Sequence, residues 1–219
     1  MEYLPFALLQ DDSGTYLIER SALSYLHAPA VQGKVSSEET VSYLGLGRSF
    51  ATGASPDLPA LPQVHRELAE ASRLYNGPEY LDAAASEVLF REMAPGVGLL
   101  HVATHTVIDD RRPLFSRLLL HPAGVENGNL HTYELFGMDL SAQLVVLSAC
   151  QTGYGQLREG EGILSLAQGF AYAGVESVLM THWPVNDGLH ADLMARFFEA
   201  LAEGIPMDLA LQQAQLAHL

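Results

Sequence analysis

Three apolar runs stand out along the chain, at Val97–Ala103, Gln143–Ala149 and Val175–Met180. Runs of this length, bounded by glycines and polar residues, are typical of strands that a parallel sheet buries on both faces. Ile163–Ala173, between the second and third runs, is apolar nearly all round and stops at Gly174, which predicts a buried crossover helix. The pattern therefore predicts an α/β fold in which helices flank a mostly parallel sheet.

Helical spacing marks other segments of the chain. Apolar residues recur at this spacing over Leu61–Tyr75, and Asn76–Pro78 is expected to end that helix. Asp82 is expected to cap a second helix. After the third apolar run, an amphipathic helix ends at Gly204, and a last helix is expected to be still running at Leu219.

The first 60 residues carry strand signals instead. Tyr3–Leu9 and Thr15–Glu19 flank a turn at Asp11–Gly14, which is a hairpin pattern, and Val41–Leu46 is a third candidate strand. Glycine and prolines mark Thr52–Pro62 as a loop. We therefore expect a single domain over residues 1–219, with a strand-rich N-terminal part at 1–60 and a core at 61–219.

The composition narrows the class of protein. Hydrophobic residues make up 48% of the chain and charged residues 17%, the balance of a compact globule. A formal net charge of −15 repels phosphate backbones, so nucleic acid is not an expected partner, and no apolar stretch predicts a membrane span. The single cysteine cannot form a disulfide within the chain, and the start lacks a secretory pattern; both features indicate the cytoplasm.

Two of the three apolar runs lead into a reactive side chain. The first reaches His105 through Thr104, and the second leads directly into Cys150. Functional groups gather at the carboxyl ends of the strands in an open parallel sheet, where neighbouring strands lie about 4.8 Å apart. A thiol needs a base to attack at neutral pH, and an imidazole supplies one. We therefore predict that His105 and Cys150 form a catalytic pair.

Several ordered sequence blocks around this pair carry a family resemblance. They are Leu4–Leu9, Tyr16–Glu19, His101–His105 (HVATH), Leu147–Gly153 (LSACQTG), Glu161–Ala167 (EGILSLA) and Trp183–Asp187 (WPVND). On these blocks the chain resembles the caspase-like cysteine peptidases, and more closely the CHAT domain, a branch associated with TPR repeats and related to separase. The resemblance spans nearly the whole chain and implies a caspase-like fold.

The resemblance also implies a mechanism. The Cys150 thiolate attacks a peptide carbonyl of a protein or peptide substrate, and His105 protonates the leaving amine. Backbone N–H groups of Thr106 and Cys150 are implied to bind the oxyanion. Neither a metal nor another cofactor is implied.

Two departures from the family pattern affect this expectation. Thr106 stands where the family usually has glycine, and a side chain there can narrow the cleft or alter the loop. The chain also ends about where the family continues into a further strand, and no TPR repeats precede it. We therefore expect a fragment of a longer protein in which a TPR-type or other regulatory domain controls the activity.

Asp187 has two interpretations that the sequence leaves open. It precedes Gly188 and the amphipathic helix, so it is a natural N-cap. In related enzymes that cleave after arginine or lysine, acidic residues line the first specificity pocket, and Asp187 falls in a block that resembles part of that pocket. The second interpretation predicts a preference for a basic residue before the scissile bond.

His101 precedes His105 by four residues, which is a metal-ligand spacing on a helix. Because the segment is predicted to be a strand and no third ligand lies nearby in sequence, we expect His101 to pack and steady the strand.

Two other classes of function compete with a peptidase. The first is a non-catalytic interaction module that keeps the fold with an idle pair, an interpretation that Thr106 and the early C-terminus favour. The second is a small-molecule thiol hydrolase, which normally places a lysine or a further acid beside the cysteine. The only lysine, Lys34, lies in a predicted loop, which disfavours this class.

Overall fold

The computed structural model describes residues 6–25, 41–50, 58–148, 161–181 and 186–219. The strands in these ranges are β1 Tyr43–Gly47, β2 Glu79–Leu81, β3 Leu99–Ala103, β4 Thr106–Val107, β5 Arg117–Leu119, β6 Asn129–His131, β7 Leu144–Leu147 and β8 Ser177–Met180. The α-helices are α1 Leu17–Arg20, α2 Val64–Tyr75, α3 Glu87–Met93, α4 Thr132–Leu135, α5 Glu161–Tyr172, α6 Asp187–Ala202 and α7 Met207–Leu216.

The larger sheet has five parallel strands in the order β2-β1-β3-β7-β8. β3 and β7 are neighbours, and their pairing runs from Leu99 opposite Leu144 to Val102 opposite Leu147. Every residue of β1, β3 and β7 is buried, which explains their near-continuous apolar sequences. The predicted α/β fold with a mostly parallel sheet is confirmed, and α5 is the predicted crossover helix between β7 and β8.

Helices cover both faces of this sheet. On one face, Phe90 of α3 and Phe170 of α5 pack on the strands in a shared core. On the other face, Phe197 and Phe198 of α6 pack against β1, β3 and β7 together with α2 and α7. The helices α2 and α6 therefore lie side by side on one face, close to the strands that lead to the predicted site.

α2 lies very close to β1 because the strand has glycine where the helix crosses it. A Cβ atom built on Gly47 would overlap the side chains of Val64 and Leu68. Glycine in a strand interior often marks such a close approach.

A small antiparallel sheet, in the order β4-β5-β6, lies between β3 and β7 in the sequence. It begins at Thr106, directly after His105, and buries Leu118 and Leu130 in the core that contains Phe90. The sequence analysis did not predict this sheet. Its strands have two or three residues, which is too short for an alternating pattern to emerge.

The helix termini confirm one prediction and correct another. α2 ends as predicted, at Asn76 in the left-handed region with φ 49°. Asp82 does not cap α3; the cap is Ser86, whose hydroxyl oxygen accepts a hydrogen bond from the Leu89 N–H. Asp82 instead accepts hydrogen bonds from the backbone N–H and the hydroxyl of Ser49, a long-range contact that the local sequence does not indicate.

The N-terminal part is not strand-rich where it is described. Residues 3–5 of the first predicted strand lie outside the described residues. In place of the rest of the strands predicted at Tyr3–Leu9 and Thr15–Glu19, Phe6–Leu8 forms a 3-10 turn and the second segment overlaps α1. An isolated bridge between Gln10 and Tyr16 flanks the predicted turn. The prediction was wrong here because a short apolar run is compatible with either a helix or a strand. β1 confirms the third predicted strand.

The C-terminal helices follow the predicted pattern with one difference. α6 ends before Gly204, whose φ is 83°, as expected. α7 ends at Leu216 and does not run on to Leu219. Within the ranges that the structure describes, no helix has both the length and the apolar character to cross a membrane.

Candidate active site

A crevice is expected at the carboxyl ends of β1 and β3, because the strand order reverses there. β2 lies on one side of β1, whereas β3, β7 and β8 follow in order on the other side. Open α/β sheets bind their ligands outside the carboxyl ends of the strands at such a point. Phe50, just beyond β1, and His105, just beyond β3, meet here with ring centroids 4.6 Å apart.

His105 is fully buried, and a backbone carbonyl fixes its orientation. Its Nε2 lies 2.7 Å from the carbonyl oxygen of Pro59. Because a carbonyl oxygen can only accept, Nε2 carries the proton of the neutral imidazole and Nδ1 carries the lone pair. The nitrogen that can accept a proton is therefore Nδ1.

A cation lies against the Phe50 ring. The Arg48 guanidinium lies 4.3 Å from the centroid of the Phe50 ring that contacts His105, and its Nη1 donates to the carbonyl oxygen of Leu120 at 2.7 Å. Burial lowers the pKa of Arg48 below its ordinary value, although the nearby Asp82 carboxylate opposes this shift. Phe50 itself has a left-handed backbone, with φ 50°, which the contacts of its ring with Arg48 and His105 help to hold.

Thr106 is placed with its backbone N–H away from the neighbouring strand. The Leu119 N–H donates to the carbonyl oxygen of His105 at 2.9 Å, so these two residues form a hydrogen-bonded pair of the antiparallel ladder. The next pair, Thr106 and Leu118, is therefore a non-hydrogen-bonded pair. The Thr106 N–H points away from β5 and takes no part in the ladder between β4 and β5.

Cys150 lies outside the described residues. The strand that leads to it is described as far as Ser148, whose backbone N–H donates to the Val102 carbonyl oxygen at 3.0 Å. Leu147 pairs with Val102 across β7 and β3. His105 and Cys150 each follow this matched pair by three residues in the sequence.

Asp187 is not the N-cap of α6. The cap is Asn186, whose side-chain oxygen accepts from the N–H groups of Gly188 and Leu189 at 3.0 and 3.2 Å. The capping interpretation of Asp187 was therefore wrong by one residue. Its Oδ2 accepts instead from the Gln63 N–H at 2.9 Å, which ties the start of α6 to the start of α2.

His101 is packed in β3, on the face that α2 and α6 cover. Its Nε2 lies 2.8 Å from Oε1 of Glu67 and 2.9 Å from Oγ of Ser148, and its Nδ1 lies 3.2 Å from the Tyr43 hydroxyl. It therefore points into a buried polar cluster. In the parts of the chain that the structure describes, no three His, Cys, Asp or Glu side chains are grouped so that they could hold a metal ion.

Sequence reasoning missed the groups that hold the two histidines. Pro59 acts through its backbone carbonyl, which leaves no signature in the side chain. Phe50 precedes the segment predicted as a loop and was not singled out. Glu67 was missed as well, although a carboxylate between the apolar positions Val64 and Leu68 of a helix is an available signal for a buried charge.

The five-stranded parallel sheet, its flanking helices and the histidine at the end of β3 define an α/β protein of caspase-like fold. Comparison with known families matches residues 1–219 to the CHAT domain. The chain therefore belongs to the CHAT domain family, which is related to the caspase-like peptidases.

A protein that is similar to this chain is named after tetratricopeptide repeats. Tetratricopeptide repeat protein 28 of Mus musculus is 31% identical over 267 aligned positions, which cover 97% of this chain and 11% of that protein. The chain thus corresponds to about a tenth of the length of this relative.

Proposed function

We propose that this domain is a cysteine endopeptidase that cleaves a protein partner through His105 and Cys150. The observation that carries the proposal is the register of β3 and β7, which are adjacent and parallel and pair up to Val102 opposite Leu147. Both proposed catalytic residues stand three positions beyond that pair. Adjacent strands are about 4.8 Å apart, so side chains at matching steps are within reach of one peptide group. Membership of a peptidase-related family supports the same conclusion.

In the proposed reaction, Nδ1 of His105 takes the thiol proton while Nε2–H remains bonded to the Pro59 carbonyl. The Cys150 thiolate attacks the substrate carbonyl carbon, and the N–H groups of Thr106 and Cys150 bind the oxyanion. The imidazolium then returns its proton to the leaving amine, and the peptide bond breaks. Water, deprotonated by the same imidazole, hydrolyses the thioester and restores the thiol.

Alanine substitution of each member of the pair tests this assignment. We expect Cys150→Ala to abolish cleavage of a peptide substrate, because no other thiol is present in the chain. His105→Ala is expected to lower the rate by about 10²–10⁴-fold, the usual contribution of a general acid–base group. His218→Ala, at an exposed position near the C-terminus, is the matched control and should cleave as wild type does. Undiminished cleavage by Cys150→Ala would remove the nucleophile from the proposal.

Asp187 is proposed to line the first specificity pocket. Its carboxylate is partly buried beside the start of α2, and one of its oxygens is bonded to the Gln63 N–H. Fluorogenic peptides that vary only before the scissile bond should show a preference for arginine or lysine that Asp187→Asn weakens. If the ratio of its activities on basic and neutral peptides equals that of the wild type, Asp187 is left with the α2 contact alone.

A non-catalytic interaction module is the second candidate. The complete burial of His105 and the side chain of Thr106 favour it. Alkylation of the single cysteine across pH separates the two candidates, because an idle thiol titrates near the free value of about 8.5.

In either case we propose a single domain that acts in the cytoplasm under the control of a TPR-type or other regulatory domain. The repeat protein among its relatives supports this arrangement.

A further inference from the structure

A cluster of buried polar side chains lies on the α2 and α6 face of the sheet, behind the strand ends that lead to the proposed pair. Glu67, His101 and Ser148 are 4%, 0% and 5% exposed. His101 Nε2 lies 2.8 Å from Glu67 Oε1 and 2.9 Å from Ser148 Oγ. We call these three residues the Glu67 network.

The network holds a negative charge inside the protein. Burial raises the pKa of the Glu67 carboxyl, but the hydrogen bond and charge of His101, with smaller contributions from His190 and Ser148, outweigh it and hold this pKa below its ordinary value. The ionised carboxylate can only accept, so His101 Nε2–H donates to it. A buried charge with satisfied hydrogen bonds restricts its partners to one geometry, since removing a partner leaves an unpaired charge.

The network does not have the geometry of a second hydrolytic site. In a serine hydrolase triad, the serine and the acid bond to opposite nitrogens of the histidine. Here Glu67 and Ser148 both lie against Nε2, while the Tyr43 hydroxyl lies 3.2 Å from Nδ1. All three members are also sealed from solvent, so a substrate cannot reach them.

Each member of the network comes from a different element, and two of these elements lead to the proposed pair. Glu67 lies on α2 and His101 on β3, four residues before His105. Ser148 follows β7 and precedes Cys150 by two residues. The side-chain contact therefore joins the end of β7 to the middle of β3, at a point close in sequence to both proposed reacting groups.

We propose that the Glu67 network positions Cys150 against His105 by fixing the end of β7 to β3 and α2. This proposal rests on the proposed function of the pair. The backbone contributes a bond at this point, from the Ser148 N–H to the Val102 carbonyl oxygen, and the Ser148 hydroxyl oxygen adds a second tether by sharing the His101 Nε2–H with Glu67. A displacement of about 1 Å can lower a catalytic rate about 10²-fold, so a tether two residues from the nucleophile affects the chemistry strongly.

The single cysteine makes the proposal testable without a known substrate, because iodoacetamide then reports on Cys150 alone. The alkylation rate is measured against pH for wild type, Ser148→Ala and Glu67→Gln. In the wild type, the imidazole is expected to hold the apparent thiol pKa below the free value of about 8.5. In both variants the apparent pKa should move towards that value, because the thiol is no longer held against His105.

The matched control loses a buried side-chain hydrogen bond on the opposite face of the sheet. Thr132 is fully buried, and its hydroxyl donates to the Ser116 carbonyl oxygen at 3.1 Å. Thr132→Val should keep the wild-type alkylation profile even if it loses stability. A similar shift in this control would mean that general loosening causes the effect, and it would overturn the proposal. An unchanged profile in a folded Ser148→Ala variant would overturn it as well.

Peptide cleavage supplies a second readout. We expect Ser148→Ala to lower kcat by about 10-fold or more with little change in KM, since the substrate contacts remain. The double variant with Glu67→Gln should be hardly worse than the single ones, because groups that act as a unit are not additive. Additive losses would contradict a single network. If Glu67→Gln does not fold, Ser148→Ala alone decides.

The same experiments distinguish failure of the inference from failure of the proposed function. If the wild-type thiol is shifted and Cys150→Ala is inactive, but Ser148→Ala and Glu67→Gln match the wild type, only the positioning role fails. If the wild-type thiol titrates at the free value and no cleavage occurs, the pair is idle. The peptidase proposal and the inference that rests on it then fail together.

Discussion

The hydrogen bond of His105 to a backbone carbonyl determines which of its nitrogens carries the proton. The Pro59 carbonyl accepts from Nε2–H at 2.7 Å, so in the proposed reaction the transferred proton enters and leaves through Nδ1. A carbonyl in this position does the orienting work that an acidic side chain does in a triad, without adding a second titrating group. In the proposed reaction the imidazole therefore acts as acid and base through Nδ1 while Nε2–H stays bonded to Pro59.

His190 provides a prediction on stability at the same scale. It lies on α6 at 8% exposure, and burial lowers its pKa below the ordinary value, although the Glu67 and Asp187 carboxylates oppose the shift. His101 adds to the lowering. The folded state thus binds a proton less readily than the unfolded chain. The contribution of His190 is fully present above the unfolded pKa of about 6.5 and is lost as the pH falls through the lower folded value.

We therefore expect the free energy of unfolding, from urea titrations, to decrease as the pH falls below about 6.5. His190→Gln, which does not titrate, should show a smaller decrease over the same interval. His121→Gln, at a position on the opposite side of the larger sheet, is the control and should follow the wild type. An equal decrease in His190→Gln and the wild type would assign the acid sensitivity to other groups.

At the scale of elements, the approach of α2 to β1 determines where Glu67 and the start of α2 lie. Glycine at position 47 allows Val64 and Leu68 to pack against the strand backbone. The same helix carries Glu67 to His101, and the Gln63 N–H before it binds Asp187. One close helix–strand contact thus supports the buried network and the α2–α6 junction.

Gly47→Ala should disturb this arrangement. The added Cβ would overlap Val64 and Leu68, so α2 must shift outward, and overpacking of this kind costs about 1–3 kcal/mol. Thermal or urea denaturation measures the loss of stability. Gly137→Ala is the control, since a Cβ there would meet only the Glu134 carbonyl oxygen at 3.7 Å. Equal stability of the two variants would contradict the close packing.

At the scale of the whole molecule, the net charge of −15 gives the protein a negative field. Such a field raises the encounter rate of positively charged segments and is screened by salt. Arg48 is a local exception to this negative charge. Its guanidinium lies against the Phe50 ring and donates to the Leu120 carbonyl oxygen.

If the proposed peptidase function is correct, kcat/KM for a peptide rich in lysine and arginine should fall as the ionic strength rises. A neutral peptide with the same residues around the scissile bond should be nearly insensitive to salt, because it gains no steering from the field. Cleavage assays that measure kcat/KM for the two peptides at several salt concentrations test this expectation. Parallel salt dependence of both peptides would show that the field has no role in substrate capture.

The elements that the sequence predicted correctly are those with a strong local pattern. β3 and β7 have the continuous apolar runs of strands buried on both faces, and β8 follows the third run although its residues are only half-buried. α2, α5 and α6 have helical patterns with clear stops such as Asn76 and Gly204. The α/β fold follows from these patterns. The N-terminal strands and the Asp82 cap failed because short segments have no pattern strong enough to exclude an alternative.

The arrangement of the site was decided by tertiary structure. His101 meets Glu67 across 34 residues of sequence and Ser148 across 47, and His105 meets the Pro59 carbonyl across 46. Hydrogen bonds of this kind depend on strand order, register and helix approach, which local spacing does not encode. By itself the sequence determined the long apolar strands of the larger sheet and which reactive residues follow two of them, whereas only packing determined which strand lies beside which and which nitrogen of His105 carries its proton.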